Sequence, residues 1–428
     1  MKTQLFALAS AALVSTAAFA LEADPPAADA KPKTDAMAPV VTGQAVAADT
    51  STQVAGEELG GGKHGGKGCC DPCHRCVWVY AEYLNWWTRN DDTPTLLGSA
   101  TTRGNITSVS PLWGNSISDD PRQGFRAGGG FYPHCKMKNI GVEANYFSLG
   151  NHSDQATFNS TANLVLARPF VDATTGTQTG LILGGGTTGE TAQATFRHDS
   201  RLWGGNIGLR TRVGGGETCS GCDGGACGNS CKCCVELLAG YQYYALNEAQ
   251  QIRTTQIGGR AAPTTIDVAE DFETDNSYHG GYLGFAGEYN CGKWFVGFNG
   301  RAGVGDVRQI SRINGTTTTT VNGFASTTET GQLLALQSNI GRRLDNDFTW
   351  ASELGVKLGI QPIGWLRGWI GYDFLYIHNV NRPGGIIDPV VNRDQLVGFG
   401  ATPLAPNYNP RRDAFWAHGL NAGVELKF

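Results

Sequence analysis

A chain of 428 residues with 60 glycines, 17% charged residues and a formal net charge of −5 carries about twice the glycine and about two thirds of the charge of an average soluble domain. That balance excludes a nucleic-acid binder, which needs a basic patch. Beyond the first twenty positions no run of 18 apolar residues offers a membrane-spanning helix, while ten Trp, 18 Phe and 13 Tyr rule out disorder throughout and leave a β-rich chain with tight turns or close backbone approaches.

Met1-Lys2, the apolar run from Leu5 to Ala17 and the small-x-small Ala18-Phe19-Ala20 read as a secretory signal peptide over 1–20. No cysteine follows the cut, so no lipid anchor is expected there. Residues 21–68 hold no aromatic side chain and end in a glycine-rich stretch, which makes them a flexible low-complexity linker. Cys69, Cys70, Cys73 and Cys76 follow as a cluster over 69–76; Cys219, Cys222, Cys227, Cys231, Cys233 and Cys234 form a second, and Cys135 and Cys291 stand alone. Export to an oxidising compartment favours disulfides for all twelve. The CxxC spacings would also suit zinc, but no metal site is expected, and His64 and His74 read as solvated histidines.

From Val77 onward, segments of alternating apolar and polar residues predict strands at 77–87, 123–132, 139–149, 200–213, 234–247, 278–289, 293–306, 347–361, 365–378 and 414–428. In 347–361, Phe348, Trp350, Leu354, Val356, Leu358 and Ile360 share one face, while Glu353, Gly355, Lys357 and Gly359 share the other. An aromatic-rich outward face and a charged, glycine-bearing inward face fit a transmembrane barrel with a narrow polar lumen. That register turns Glu82, Glu143, Glu236, Glu288, Glu353, Asp373 and Glu425 inward together with Arg126, Arg210, Arg212, Arg301, Lys357, Arg367 and Lys427. A soluble β-sandwich would hide the aromatic face and show the charged one.

Connection lengths alternate. Short turns fall at Pro133–Lys138, Asn290-Cys291-Gly292 and Pro362-Ile363-Gly364, and long loops at 150–199, 248–277, 307–346 and 379–413. The expected fold is therefore all-β: an up-and-down antiparallel barrel over 77–428 of about 10 strands with both termini periplasmic. Segments 161–168 and 179–184 would either add a hairpin, giving 12 strands, or extend an outer loop. In this topology all twelve cysteines fall on the periplasmic rim, Cys135 and Cys291 in short turns and the second cluster in a longer one. Pairing across the rim, within each cluster, or to another chain all remain open.

Five stretches make the chain resemble a known family: Val79-Tyr80-Ala81-Glu82-Tyr83-Leu84-Asn85-Trp86-Trp87, Gly141-Val142-Glu143-Ala144-Asn145-Tyr146-Phe147, Ser338-Asn339-Ile340-Gly341, Gly371-Tyr372-Asp373-Phe374-Leu375-Tyr376 with Asn379-Val380-Asn381-Arg382-Pro383-Gly384, and Phe415-Trp416-Ala417-His418-Gly419-Leu420-Asn421-Ala422-Gly423-Val424-Glu425-Leu426. In that order they resemble the β-barrel porin family of planctomycete outer membranes numbered seven. The resemblance implies an outer-membrane barrel of unassigned substrate with no catalytic residues to carry over. Terminal Phe428, with Leu426, Val424 and Leu420 at alternate positions, also resembles the signal read by the barrel assembly machinery, so that machinery and outer-membrane lipids are the expected partners.

Two functions are compatible with this sequence. One is a passive pore for small polar solutes. The other is a non-conducting structural or surface-display barrel with a disulfide-rich periplasmic rim, because the lumen of a barrel this narrow can be filled by side chains. Thr316–Thr320 with Val321 would then sit in a loop facing outward. Enzyme chemistry is not expected: His198 and Asp199 are adjacent on a strand and point to opposite faces. No cofactor motif occurs, and the sequence sets no oligomeric state.

Overall fold

The computed structural model describes residues 77–100, 109–117, 120–132, 140–186, 190–219, 230–258, 263–397 and 402–428. The expected signal peptide, linker and first cysteine cluster lie outside these residues. The first eight strands are β1 (Val77–Thr88), β2 (Leu97–Ala100), β3 (Ser110–Trp113), β4 (Arg122–Phe131), β5 (Ile140–Leu149), β6 (His152–Asn159), β7 (Val165–Asp172) and β8 (Gln178–Gly184). Four long ones follow: β9 (Thr191–Cys219), β10 (Ser230–Gly258), β11 (Thr264–Cys291) and β12 (Trp294–Val321). The last five are β13 (Thr327–Thr330), β14 (Gly341–Ile363), β15 (Leu366–Asn381), β16 (Val390–Val391) and β17 (Arg412–Lys427).

Ten of these close a ring by antiparallel pairing in the order β1, β4, β5, β9, β10, β11, β12, β14, β15, β17 and back to β1. Each predicted strand coincides with a ring strand, which resolves the choice between 10 and 12 in favour of ten. The segments 161–168 and 179–184 do not enter the ring. They contribute to β7 and β8, which belong to a second, five-stranded sheet with β2, β3 and β16.

Outward side chains make an apolar belt. Trp350, Leu354, Val356, Leu358 and Ile360 on β14, and Val304, Phe298, Val296 and Trp294 on β12, are all exposed. From Trp350 to Ile360 the belt spans about the ~9–11 residues that a tilted strand needs to cross a bilayer. One edge carries a girdle of touching rings: Phe125–Tyr146, Tyr146–Trp203 and Trp203–Tyr243 on one arc, Trp350–Tyr376 and Trp416–His418 on another. Trp294, Tyr289 and Trp365 stand exposed at the opposite edge, by the short turns. Such an apolar band between two aromatic rims is the surface that hydrocarbon and its two interfaces require.

Three of the four expected long loops, 150–199, 248–277 and 307–346, prove to be largely strand. β9 and β10 run 29 residues each and β11 and β12 28 each, so the hairpins continue well past the girdle. Thr316–Thr320 belong to β12, and Thr316–Thr319 pair with β13. Alternation persists there, but both faces carry polar residues, as in Gln250-Gln251-Ile252-Arg253-Thr254-Thr255. An apolar-versus-charged contrast cannot reveal such a strand, because outside the lipid its outer face meets water.

Inward glycines set the spacing of the interior. A Cβ at Gly130 would lie 2.3 Å from the Trp78 ring, and one at Gly423 would lie 2.5 Å from Trp369. Both rings lie against bare backbone of a neighbouring strand, an approach only glycine permits.

Candidate functional site

The candidate site is the interior of the ring, and it is layered. Nearest the short turns, Arg367 on β15 donates to Glu288 at 2.8 Å, Asn290 at 2.6 Å and Gln361 at 3.2 Å, with Glu425 on β17 3.8 Å away. Beside it, Arg210 donates to Glu143 at 2.8 Å and is also bonded to Glu236, which accepts from Tyr132 at 2.7 Å. Arg212 and Lys427 lie half-buried two residues further toward the rim from Arg210 and Glu425.

One layer deeper, Arg126 on β4 meets three carboxylates from three other strands: Glu82 at 2.8 Å, Asp373 at 2.9 Å and Glu353 at 3.1 Å. Lys357 bonds the second oxygen of Glu82, Asn421 donates to Asp373 at 2.8 Å, and Tyr244 donates to Glu353 at 3.3 Å. Arg301 lies opposite Glu353 across the β12–β14 pair, at 3.8 Å. Contacts that reach between non-neighbouring strands can form only through the interior. The fourteen charges inferred from the sequence thus include twelve that share ion pairs within the ring.

Above the charges comes carbon. Leu84, Trp86, Phe147, Leu149, Leu202, Tyr244, Leu246, Tyr278, Val307, Ala351, Leu375, Ile377, Val380, Phe415 and Ala417 form one buried cluster. These residues come from every ring strand except β4. Arg126 stacks beneath it, 5.4 Å from the Trp86 ring and 5.8 Å from Phe147.

The loop half of the interior is filled by segments that fold inward, and sequence reasoning missed them. Asn379 adopts φ +62 beside a register shift in β15, a left-handed turn that Asn tolerates. The chain then enters the mouth with Val380, Asn381, Arg382, Pro383 and Gly384 all buried. Arg382 grips Glu248 through both oxygens at 2.8 and 2.7 Å, and donates to the carbonyls of Arg89 at 2.9 Å and Asn90 at 2.6 Å. Glu248 also accepts from Ser200 at 2.9 Å, and Ser200 from Arg122 at 2.8 Å. Burial alone would raise the Glu248 carboxyl, but the charge and hydrogen bonds of Arg382 hold it down at about 2. Asn276 and Asn381 exchange hydrogen bonds of 2.7 and 2.8 Å.

A second inward segment covers the first. Glu270 accepts from the backbone of Leu334 at 2.7 Å and Ala335 at 3.1 Å, and it is paired with buried Arg168 of β7. Asn339 closes the segment on itself, donating to Leu334 at 2.8 Å and accepting from Leu336 at 2.9 Å. Leu333, Leu334, Leu336, Phe272, Phe170 and Ile386 pack here in a separate apolar cluster. The only sequence signals for these segments were the unexplained stretches Asn379–Gly384 and Ser338–Gly341.

Other candidate residues fall as follows. His198 is fully buried, both its nitrogens lack a partner among the described residues, and burial pushes its imidazole below the ordinary range. Asp199 faces the other way and pairs with Arg197. Asp120, His152 and Asp154 bring their ligand atoms within 4.8 Å of one another, with His152 and Asp154 in a partly exposed pair at 3.1 Å. Phe428 is exposed, and its backbone exchanges hydrogen bonds of 2.9 and 3.2 Å with Val77.

Cys231 and Cys291 form a disulfide between directly opposed residues of β10 and β11, with Cα atoms 4.3 Å apart. Cys234 is disulfide-bonded too, and Cys233 is free and exposed. The expectation that Cys231, Cys233, Cys234 and Cys291 sit in turns is corrected: β10 begins at Ser230 and β11 ends at Cys291, leaving Gly292 and Lys293 as the turn. Pairing extends that far because the backbone ladder continues beyond the apolar belt that marked the strands. Cys219 ends β9, and Cys69, Cys70, Cys73, Cys76, Cys135, Cys222 and Cys227 lie outside the described residues.

No curated protein matches this chain. Among solved structures, the outer membrane protease OmpT from Escherichia coli overlaps with 7% identity and a TM-score of 0.36, covering 82% of this chain and 96% of its own. The toluene transporter TodX of P. putida gives 11% identity and 0.20 over 82% and 90%, and a Pseudomonas aeruginosa FadL homologue gives 6% and 0.21 over 82% and 90%. Overlaps of that depth fix neither a fold nor an activity. The family model described as "Putative beta barrel porin-7" matches residues 78–428. With its ring of ten strands and its apolar belt, the chain belongs to that β-barrel porin family and is an outer-membrane barrel.

Proposed function

We propose that this protein is a barrel closed in its resting state, a structural and surface-presenting element of the outer membrane rather than an open diffusion pore. The observation that carries this reading is the buried apolar cluster around Leu84, Trp86 and Tyr244, drawn from nine of the ten ring strands. The strap from Asn379 to Ile387 and the Leu333–Leu336 segment add further seals. In this reading the signal peptide delivers the chain to the periplasm, the assembly machinery reads Phe428, and lipid surrounds the belt. Both termini and the cysteine-rich rim then face the periplasm, while the tall β9–β14 wall faces outward.

A second reading, a pore for small polar solutes that opens when the strap leaves, is favoured by the charged lower lumen. Planar-bilayer recording of refolded protein distinguishes the two. The closed barrel is expected to give no discrete conductance steps with or without residues 379–387, whereas steps that appear only in the variant lacking those residues would favour the second reading. Steps from the unaltered protein would overturn the closed-barrel reading.

A further inference from the structure

Below the apolar layer the lumen holds a cavity of about 140 Å³. Its lining runs from Arg301 and Glu353 at the inner end to Glu288 and Cys234 at the short-turn rim. At ~30 Å³ for each water in the liquid, that is room for about five, the size of a small organic molecule.

Donors on its wall are unequally served. Arg126, Arg210 and Lys357 each reach at least one carboxylate at hydrogen-bond distance. Arg301 does not: its one carboxylate neighbour, Glu353, lies at 3.8 Å, beyond hydrogen-bond reach. Its Nε and Nη1 have no hydrogen-bond partner among the described residues although the residue is only 8% exposed. On the same lining the Trp369 Nε1, in a residue 7% exposed, is likewise without a hydrogen-bond partner among the described residues. Buried donors left bare are rare, because each forfeits its hydration without replacement. Nε and Nη1 lie on different edges of the guanidinium, so each offers a carboxylate oxygen a single charge-assisted hydrogen bond.

A purely anionic guest is disfavoured, since the lining carries five carboxylates (Glu143, Glu236, Glu288, Glu353, Glu425) against four cations (Arg126, Arg210, Arg301, Lys357). The aromatic wall already accepts a cation: the Lys357 ammonium stands 4.5 Å from the Trp369 ring and 5.4 Å from Tyr80. We infer that the cavity is a binding site for a small zwitterion of the amino-acid class, its carboxylate on Arg301 and its ammonium among the lining carboxylates and rings. The site lies on the short-turn side of the apolar cluster, so the inference does not depend on whether the loop half opens.

The test is calorimetric titration of the refolded full chain with glycine and with glutamate, set against acetate and methylammonium, which each carry one of the two charges. Saturable binding of a zwitterion, at least tenfold tighter than either single-charge probe, is expected. Arg301→Gln should weaken it about tenfold to a hundredfold, the worth of a charged hydrogen-bonded contact. Trp369→Phe, which keeps an aromatic face but removes the N–H with the five-membered ring, should weaken it less, and it serves as the reporter if the Arg301 variant fails to refold. Binding of acetate as tight as glycine, unchanged affinity in both variants, or no saturable heat from any probe, with ordered water alone on Arg301, would each overturn the inference.

Discussion

Around Asn421 and Asp373, Arg126 sits among three carboxylates from three strands; one step further along the same strands, Trp86, Leu375 and Phe415 belong to one buried apolar cluster. The lower lumen is filled by charges that neutralise one another, the upper by side chains and inward segments that exclude water. Polar filling is reversible in principle, because a solute or water can take over each hydrogen bond. Apolar filling is not, since opening it exposes carbon with no compensating partner. The contrast explains how one barrel can hold a cavity at one end and be sealed at the other.

The sharpest way to break the contrast is to remove the hub of the charged half. Arg126→Met leaves Glu82, Glu353 and Asp373 buried without their shared partner, a loss of about 3–5 kcal/mol, to be read as a lowered urea midpoint for unfolding in detergent. Next comes Trp86→Ala in the apolar half, at about 3–4 kcal/mol. The same measurement applies, with the added expectation of conductance noise in bilayers that Arg126→Met does not produce.

A third test uses pH on the strap. The Glu248 carboxyl is held at about 2 in the folded state against an ordinary 4.5. Its contribution is therefore complete above pH 4.5 and is lost as pH falls toward 2, about 3 kcal/mol over that window. Protease cleavage of the strap should rise across it. Asp91, whose carboxyl burial pushes up, titrates with the opposite sign, so Glu248→Gln is the control and should abolish the rise. Smallest of all, Thr318→Ala breaks the exposed Thr318–Thr328 hydroxyl contact of 3.0 Å and should change stability by no more than about 0.5 kcal/mol.

Ring strands were legible in the sequence because lipid imposes a uniform demand: Phe348, Trp350, Leu354 and Val356 must all be apolar, so their inward neighbours stand out. Charge signs were legible for the same reason, but partners were not. Nothing in the spacing of Arg126, Glu353 and Asp373 says that they converge, because ring closure sets the distance between them. The loop half gave no contrast to read. Glu248 and Glu270 lie among mixed neighbours and Arg168 in the apolar run Leu164–Val171, and their burial depends on where Asn379 and Gly341, with positive φ, send the chain. Aromatic neighbours of glycine, such as Trp78 over Gly130, belonged to different strands and so left no local pattern.

The Cys231–Cys291 bond has a bearing on the diameter of the whole ring. β10 and β11 are paired without a register shift from that bond to Gly258 and Thr264 at the far tip, so their stagger is one quantity along the entire wall. In a closed sheet the summed stagger, together with strand number, fixes tilt and radius. A slip of two residues would keep every side chain on its proper face and cost little in patterning, yet it would change the bore. A covalent tie between directly opposed residues forbids that slip, acting as a gauge block for the barrel.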